Sequence, residues 1–209
     1  MNSTNESPAQ SGHTKSLMIL LHGLGSNGDD LFSLVPYFKK TLPDTHFYAP
    51  DGIEPCDMGP FGYQWFSLQD RRAEVTKREL EHAIPAIIKV IDTKKAELGL
   101  EDKDVILCGF SQGAMVSLYL ALSQKNPYKA IVAFSGALMQ PSLIHNIKTP
   151  ICLIHGKEDA VVPYSNMDAA HKTLKALGVF VDTLGIPNLA HSIDMKGLEA
   201  AAKFIQSRL

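Results

Sequence analysis

Short apolar runs alternate with segments of helical periodicity along most of the 209-residue chain. The apolar runs predict strands over 17–21, 45–49, 104–108, 130–134, 151–154 and 180–185, and the periodic segments predict helices over 29–42, 74–98, 112–123, 163–177 and 192–208. Apolar strands that alternate with helices are typical of a parallel sheet covered on both faces. The sequence therefore predicts an α/β fold with a doubly wound, mostly parallel central sheet, whose functional groups lie beyond the carboxyl ends of the strands.

The other segments are polar, irregular or interrupted. Residues 1–16 carry almost no apolar surface, so we expect a mobile polar tail before a single domain over 17–209. Residues 52–72 combine glycine, proline and aromatic residues without periodicity, which indicates a long loop. Pro85 is expected to bend the 74–98 helix or to delay its start, and Gly99 is expected to end it.

Charge and cysteine content exclude several classes of protein. The formal net charge of −2 gives no electrostatic reason to expect a nucleic-acid partner. No apolar run approaches the roughly 18 residues of a membrane helix, and the polar N-terminus lacks the apolar core of a secretory signal. Cys108 and Cys152 lie in apolar runs and are expected to be buried thiols. With Cys56 they make an odd count, so we expect a reducing, cytoplasmic location.

Residues 109–113 read GFSQG, a G-x-S-x-G pattern between a predicted strand and a predicted helix that is apolar on nearly every face. In this context a serine occupies the apex of a tight, strained turn, and the two glycines remove side chains that would collide. Ser111 is therefore the predicted nucleophile. The alternative is a glycine-flanked serine that caps the following helix.

A serine nucleophile needs a base, and the base needs an orienting acid. In the order Ser, acid, His, only His171 and His191 leave room for an acid-bearing strand end before them, and His171 falls inside a helical pattern. His191 is thus the predicted base. The predicted acid is Asp159, just beyond the 151–154 strand, because the apolar pair that follows it would dock its loop; Glu158 is the alternative.

Acyl transfer also needs hydrogen-bond donors for the developing oxyanion. The backbone N–H groups of Gln112, at a helix N-terminus, and of Leu24, in the loop after the first strand, are the predicted donors.

The loop that holds Leu24 also contains a G-x-G-x-x-G pattern over 23–28, and Asp51 closes the next strand, which favours a nicotinamide-dependent oxidoreductase. Against this, Asp29 and Asp30 would repel a pyrophosphate. The chain is also short for a cofactor domain plus a substrate domain, and the interpretation gives Ser111 no role. We therefore predict no cofactor, and the lack of a zinc-binding motif predicts no metal.

The 52–72 loop is rich in large apolar residues that must pack on the domain or face a ligand. We expect a mobile flap that forms part of an acyl-binding groove, with Met58, Phe61, Trp65 and Phe66 contacting substrate. The alternative is that these side chains simply pack on the body of the domain.

Four segments, LLHGLGSNGDD, GFSQGA, HGKEDAVVP and AHSID, together resemble the phospholipase/carboxylesterase family of small α/β-hydrolases, which includes the acyl-protein thioesterases. The resemblance covers residues 17–209. It implies the α/β-hydrolase fold, with helices on both faces of the sheet. It also implies that Ser111 is the nucleophile, Asp159 the acid and His191 the base, with Leu24 and Gln112 as oxyanion donors.

The resemblance further implies a carboxylesterase, lysophospholipase or acyl thioesterase that works through an acyl-serine. Its substrate would be a small ester, a lipid or an acylated molecule, and the enzyme would be a monomer or homodimer. The segment FGYQWFSL departs from the animal thioesterases and looks more like bacterial members, which favours small esters or lipids over acylated proteins. A binding protein that keeps the fold without turnover is the alternative from another class.

Overall fold

A seven-stranded sheet forms the centre of the computed structural model, which describes residues 5–209. The strands are β1 (Glu6–Ser7), β2 (Ser16–Leu21), β3 (Thr45–Tyr48), β4 (Glu54–Pro55), β5 (Tyr63–Gln64), β6 (Val105–Phe110), β7 (Ala130–Phe134), β8 (Ile151–Gly156) and β9 (Val181–Ile186). The helices are α1 (Gly28–Phe32), α2 (Val35–Lys39), α3 (Ala73–Glu97), α4 (Gln112–Ser123), α5 (Ser165–Ala176) and α6 (Met195–Gln206), with one 3₁₀ turn (Asp102–Asp104).

The strand order is β1-β3-β2-β6-β7-β8-β9, and every pair in this sheet is parallel except β1 with β3. The strands β4 and β5 form a separate antiparallel hairpin inside the predicted loop. The prediction of a mostly parallel α/β sheet is confirmed.

Alternate side chains of the buried strands feed two separate cores, because successive residues of a strand point to opposite faces. On the first face, Leu17 and Ile19 pack in one cluster with apolar residues of α3, α4 and α5. On the second face, Met18 and Leu20 pack in another cluster with residues of α1, α2 and α6. Helices therefore cover both faces, as a parallel sheet of apolar strands requires.

The segment predicted as one helix over 29–42 forms two short helices, α1 and α2. The prediction of a continuous helix is therefore wrong. Pro36 lies in the first turn of α2 and has no N–H to donate to the carbonyl of Phe32, which interrupts the helical hydrogen-bond pattern. The Ser33 hydroxyl donates instead to the Asp30 carbonyl oxygen at 2.5 Å. Local side-chain bonding and the proline together separate the two helices.

Helix α3 is continuous through the exposed Pro85, so the expected late start is wrong. Gly99, with a φ of +66°, follows its end as predicted. The last two helices begin two to three residues later than predicted; α6 is capped by the Asp194 side chain, which accepts from the Gly197 N–H at 2.8 Å.

Residues 5–16, predicted as part of a mobile tail, contact the domain in the structure, and residues 1–4 lie outside the described part of the chain. That this tail is mobile stays a prediction. The strand β1 pairs with the sheet edge at β3. The Glu6 carboxylate accepts from His46 Nε2 at 2.7 Å and from Lys94 Nζ at 2.9 Å. These contacts with distant parts of the chain, rather than apolar content, hold the segment.

Cys108 and Cys152 are buried on the sheet, as predicted, and burial raises the pKa of each thiol to about 12. Both remain inert thiols at neutral pH, and Cys56 is partly exposed.

Candidate active site

Ser111 occupies the turn between β6 and α4 in a backbone conformation that residues with side chains rarely adopt, with φ at 54° and ψ at −113°. A Cβ atom on Gly109 would lie 2.3 Å from the Gly113 carbonyl oxygen. A Cβ atom on Gly113 would lie 2.0 Å from the Leu21 carbonyl oxygen. The turn therefore requires both glycines. The Ser111 hydroxyl makes no capping hydrogen bond to α4, so the alternative of a helix cap is wrong.

Three side chains from three strand ends meet beyond the carboxyl edge of the sheet. The Ser111 Oγ lies 3.0 Å from His191 Nε2, and His191 Nδ1 lies 2.7 Å from Asp159 Oδ2. Because an ionised carboxylate only accepts hydrogen bonds, these partners assign the imidazole proton to Nδ1 and leave Nε2 to accept from the Ser111 hydroxyl. His191, the predicted base, is thus within hydrogen-bond distance of both the predicted nucleophile Ser111 and the predicted acid Asp159.

The Asp159 carboxylate is fully buried, whereas Glu158 is exposed. Its Oδ1 accepts from the Val161 N–H at 2.9 Å and the Val162 N–H at 2.8 Å. Burial by itself would raise the pKa of Asp159, but the hydrogen bonds from His191 and from these two backbone groups outweigh it and lower the pKa below its usual value. Asp159 is therefore held as an anion that faces His191.

His155 also contacts the acid, which the sequence analysis did not foresee. Its Nε2 lies 3.2 Å from Asp159 Oδ2 and 2.8 Å from the Val162 carbonyl oxygen, and its side chain is buried. It ends β8, four residues before Asp159, so its position at a strand end was the available signal. His155 thus hydrogen-bonds to the loop that follows Asp159 and packs against the carboxylate.

The predicted oxyanion donors flank the nucleophile. Gln112 is the first residue of α4, so its N–H has no partner within the helix. A Cβ atom on Gly23 would lie 3.4 Å from the Ser111 Cβ, which places the loop of Leu24 directly against the nucleophile. Both segments therefore lie next to Ser111, and the N–H groups of Leu24 and Gln112 stay the predicted oxyanion donors.

Buried His22 orients the loop that holds Leu24. Its Nδ1 donates to the Gly23 carbonyl oxygen at 2.7 Å, and its Nε2 accepts from the Gly52 N–H at 2.8 Å. Burial lowers the pKa of His22, which keeps the ring neutral and suits this pair of contacts. In a trans peptide the N–H points away from the carbonyl, so the Gly23 contact directs the Leu24 N–H to the opposite side.

This geometry agrees with what comparison with known proteins shows. A profile of the phospholipase/carboxylesterase family matches residues 5–209. The chain belongs to this family. It is a serine hydrolase of carboxylic esters, and the predicted family and α/β-hydrolase fold are confirmed.

Individual relatives span nearly the whole family domain. The chain is 30% identical to acyl-protein thioesterase 1 of Saccharomyces cerevisiae, over 92% of each chain. It is 28% identical to esterase YpfH of Escherichia coli, over 88% of this chain and 79% of the relative. Among solved structures, the esterase PE8 superposes with a TM-score of 0.93 at 39% identity, over 99% of each chain. SOBER1 of Arabidopsis thaliana superposes with a TM-score of 0.80 at 26% identity, over 92% of this chain and 98% of that one.

In this family member, a cavity of about 750 Å³ opens at Ser111. It is lined largely by apolar residues from several loops and helices: Leu24, Leu31, Leu34, Leu68, Phe110, Met115, Ala137, Met139, Val161, Val162, Pro163 and Ile193. The volume falls in the range of small-molecule sites, about 300–1,000 Å³.

None of the four residues predicted to contact substrate lines this cavity. Trp65 and Phe66 are buried beneath it, where Trp65 Nε1 donates to the His22 carbonyl oxygen at 2.9 Å. Met58 and Phe61 lie at the tip of the β4–β5 hairpin, and Phe61 is 84% exposed. For Trp65 and Phe66 the packing alternative holds. The loop does reach the cavity, but through Leu68 and Arg71.

The Gln112 side chain ties this loop to the nucleophile turn, a role that the sequence analysis missed. Its Oε1 accepts from the Trp65 N–H at 2.9 Å, and its Nε2 donates to the Phe66 carbonyl oxygen at 2.7 Å. The side chain is buried, so these two bonds satisfy backbone groups that would otherwise lack partners.

The G-x-G-x-x-G loop has other partners than a dinucleotide. The Gly28 N–H donates to Asp51 Oδ1 at 2.9 Å, and the Asn27 side chain caps α1, which has only five residues. Within residues 5–209, no cluster of three histidine, cysteine or acidic residues is placed to hold a metal ion. No helix in the same range is long and apolar enough to cross a membrane.

Proposed function

We propose that Ser111 is the nucleophile of this esterase, His191 its general base and acid, and Asp159 the group that orients His191. Ser111 Oγ attacks the acyl carbon while its proton moves to His191 Nε2, and the Leu24 and Gln112 N–H groups bind the oxyanion. Collapse of the tetrahedral intermediate breaks the bond to the leaving alcohol or thiol, which takes the proton from His191. Water then attacks the acyl-serine by the same steps.

The observation that carries this proposal is the continuous pair of hydrogen bonds from Ser111 through His191 to Asp159, at 3.0 and 2.7 Å. The strained turn supports it, since it exposes the hydroxyl rather than using it as a cap.

The proposed substrates are esters or thioesters with an apolar acyl chain. The largely apolar cavity beside Ser111 supports this choice, because each CH₂ removed from water contributes about 0.8 kcal/mol. We also propose that the enzyme acts in the cytoplasm as a monomer or homodimer. Three unpaired cysteines support the location, and light scattering after gel filtration would give the assembly.

The test of the residue roles is labelling with a fluorophosphonate probe, together with hydrolysis of 4-nitrophenyl butyrate. We expect Ser111→Ala to abolish labelling and to lower kcat by roughly 10⁴- to 10⁶-fold, and His191→Ala to do the same to kcat. The double variant should be hardly worse than either single one, because the residues act as a unit. Additive losses, or labelling that survives Ser111→Ala, would contradict the roles.

The substrate class is tested by a 4-nitrophenyl ester series of increasing acyl length, with a lysophospholipid and a palmitoyl-thioester peptide alongside. Rising kcat/KM with chain length supports an apolar acyl site. No turnover of any of these by the folded wild-type protein would favour the non-catalytic binding protein instead.

A further inference from the structure

The cavity beside Ser111 has two apolar walls that belong to opposite faces of the sheet. Leu68, Met115 and Met139 belong to or pack on the core of the first face. Leu31, Leu34 and Phe110 belong to or pack on the core of the second face. A substrate bound at Ser111 can therefore direct its two halves along two different walls.

The position of His191 determines which wall the leaving group of the substrate contacts and which wall the acyl chain contacts. The His191 ring packs on the Phe110 ring with centroids 4.8 Å apart, so the imidazole lies on the second-face side. The leaving group must take its proton from His191 Nε2 and therefore lies along the same side. The acyl chain is left with the first-face wall of Leu68, Met115 and Met139.

The two walls carry opposite charges at the cavity surface. Arg71, exposed just before α3, lines the first-face side beside Leu68. Asp30, in α1, lines the second-face side beside Leu31. Arg72 forms an ion pair with Asp70, but no carboxylate of residues 5–209 forms one with Arg71. Arg71 thus borders the acyl wall, and its guanidinium has no carboxylate partner in the described chain.

We propose that the preferred substrates carry a carboxylate at the far end of the acyl chain, and that Arg71 binds it. The substrates are then monoesters or monothioesters of dicarboxylic acids, whose methylenes contact the apolar wall and whose carboxylate pairs with the planar guanidinium. Water cleaves the acyl–oxygen or acyl–sulfur bond and releases the dicarboxylic acid and a neutral alcohol or thiol. Asp30 disfavours an anionic leaving group by like-charge repulsion.

This inference rests on the proposed function, and its test separates the two. Mono-4-nitrophenyl adipate and 4-nitrophenyl hexanoate share six acyl carbons and a leaving group, and differ in a terminal carboxylate against a methyl group. The readout is the ratio of their kcat/KM values, corrected for spontaneous hydrolysis. Because an ion pair at an exposed side chain is lost, we expect Arg71→Gln to lower this ratio about three- to fivefold.

Arg72→Gln is the matched control, since Arg72 is adjacent, equally charged, paired with Asp70 and not part of the cavity lining. We expect it to leave the ratio within about twofold of wild type. The wild-type ratio should also fall as NaCl rises from about 20 to about 500 mM, and the Arg71→Gln ratio should change less. Thermal unfolding of both variants establishes that each is folded.

A third ester, 3-carboxy-4-nitrophenyl hexanoate, moves the carboxylate to the leaving half. Arg71→Gln should affect it less than the adipate ester. An unchanged adipate-to-hexanoate ratio in Arg71→Gln, an equal loss in Arg72→Gln, or a larger effect on the third ester would each overturn the inference. Hexanoate hydrolysis that depends on Ser111 would leave the proposed function intact in all three cases.

Discussion

Asp159 accepts three hydrogen bonds, two from the backbone of its own loop and one from His191, and His155 Nε2 lies 3.2 Å from its Oδ2. The backbone donors and His155 hold the carboxylate in place, which leaves Oδ2 aimed at His191 Nδ1. Glu158, one residue earlier, is exposed, and its side chain makes no hydrogen bond or ion pair with the residues of the site. The two neighbouring carboxylates are chemically alike, but one is buried beside His191 and the other is exposed to solvent. This difference is the reason to propose Asp159, rather than Glu158, as the acid.

At this scale we expect Asp159→Asn to lower kcat by roughly 10⁴-fold, because an amide cannot hold His191 in the tautomer that accepts the serine proton. Glu158→Gln should stay within about twofold, as is usual for an exposed group away from the chemistry. Both are measured with 4-nitrophenyl butyrate, with circular dichroism as the control for folding. A larger loss of kcat in Glu158→Gln than in Asp159→Asn would identify Glu158 as the acid.

At the scale of elements, β1 depends on side chains from elsewhere in the chain. The strand has only two residues, yet Glu6 bonds to His46 in β3 and to Lys94 in α3. Burial by itself would raise the pKa of Glu6, but the bonds from Lys94 and His46 outweigh it and lower the pKa below its usual value. The charged carboxylate therefore attaches the strand to the sheet edge and to the helix.

A folded-state pKa below the unfolded value means that Glu6 contributes stability above about pH 4.5, and that this contribution is lost as pH falls through the lower folded value. We expect Glu6→Gln to reduce the free energy of unfolding by about 1–2 kcal/mol at pH 7 and by less at pH 3, which lies below the unfolded value. Urea unfolding at both pH values measures this.

Glu97→Gln is the control for Glu6→Gln, because Glu97 pairs with the same Lys94 at 2.6 Å but is more exposed and does not contact β1. Its effect at pH 7 should be smaller. Equal losses in Glu6→Gln at both pH values would show that packing, rather than charge, attaches the strand.

At the scale of the whole molecule, the 52–72 loop connects the loop that holds Leu24 with the turn that holds Ser111. Trp65 Nε1 donates to the carbonyl oxygen of His22, just before the loop that holds Leu24, and the Trp65 backbone N–H donates to Gln112 Oε1, beside Ser111. Its ring packs against the His22 ring with centroids 5.2 Å apart, and the side chain is fully buried. The buried part of the loop, residues 64–66, therefore packs as part of the core, while Leu68 and Arg71 line the cavity.

We therefore expect Trp65→Ala to reduce the free energy of unfolding by about 3–5 kcal/mol, the usual effect of removing a buried large aromatic side chain. Phe61→Ala, at the exposed hairpin tip, should change it by no more than about 0.5 kcal/mol. Urea unfolding followed by circular dichroism measures both, since Trp65 is the single tryptophan. If a stably folded Trp65→Ala variant selectively lost turnover of long-chain esters, Trp65 would be a contact of the acyl chain and not only a core residue.

Features that depend on near neighbours in the chain could be predicted from the amino-acid sequence. Apolar runs and helical periodicity located the central strands and α4, because a strand buried on both faces and a helix buried on most sides need few polar residues. The turn at Ser111 was readable because its steric demand falls on Gly109 and Gly113, two residues away. The order of strand ends along the chain then singled out Asp159 and His191.

Which side chains meet in one place depends on contacts between distant parts of the chain, and these became visible in the folded structure. The mixture of glycine, proline and aromatic residues in 52–72 does not indicate which side chains face the core. Trp65 and Phe66 are therefore predicted at the cavity but lie in the core, while Leu68 and Arg71 line the cavity without having been predicted. The contact of His155 with Asp159 requires a loop that folds back on β8. The pairing of β1 with β3 joins residues about 40 positions apart, through hydrogen bonds and charges that no local pattern encodes.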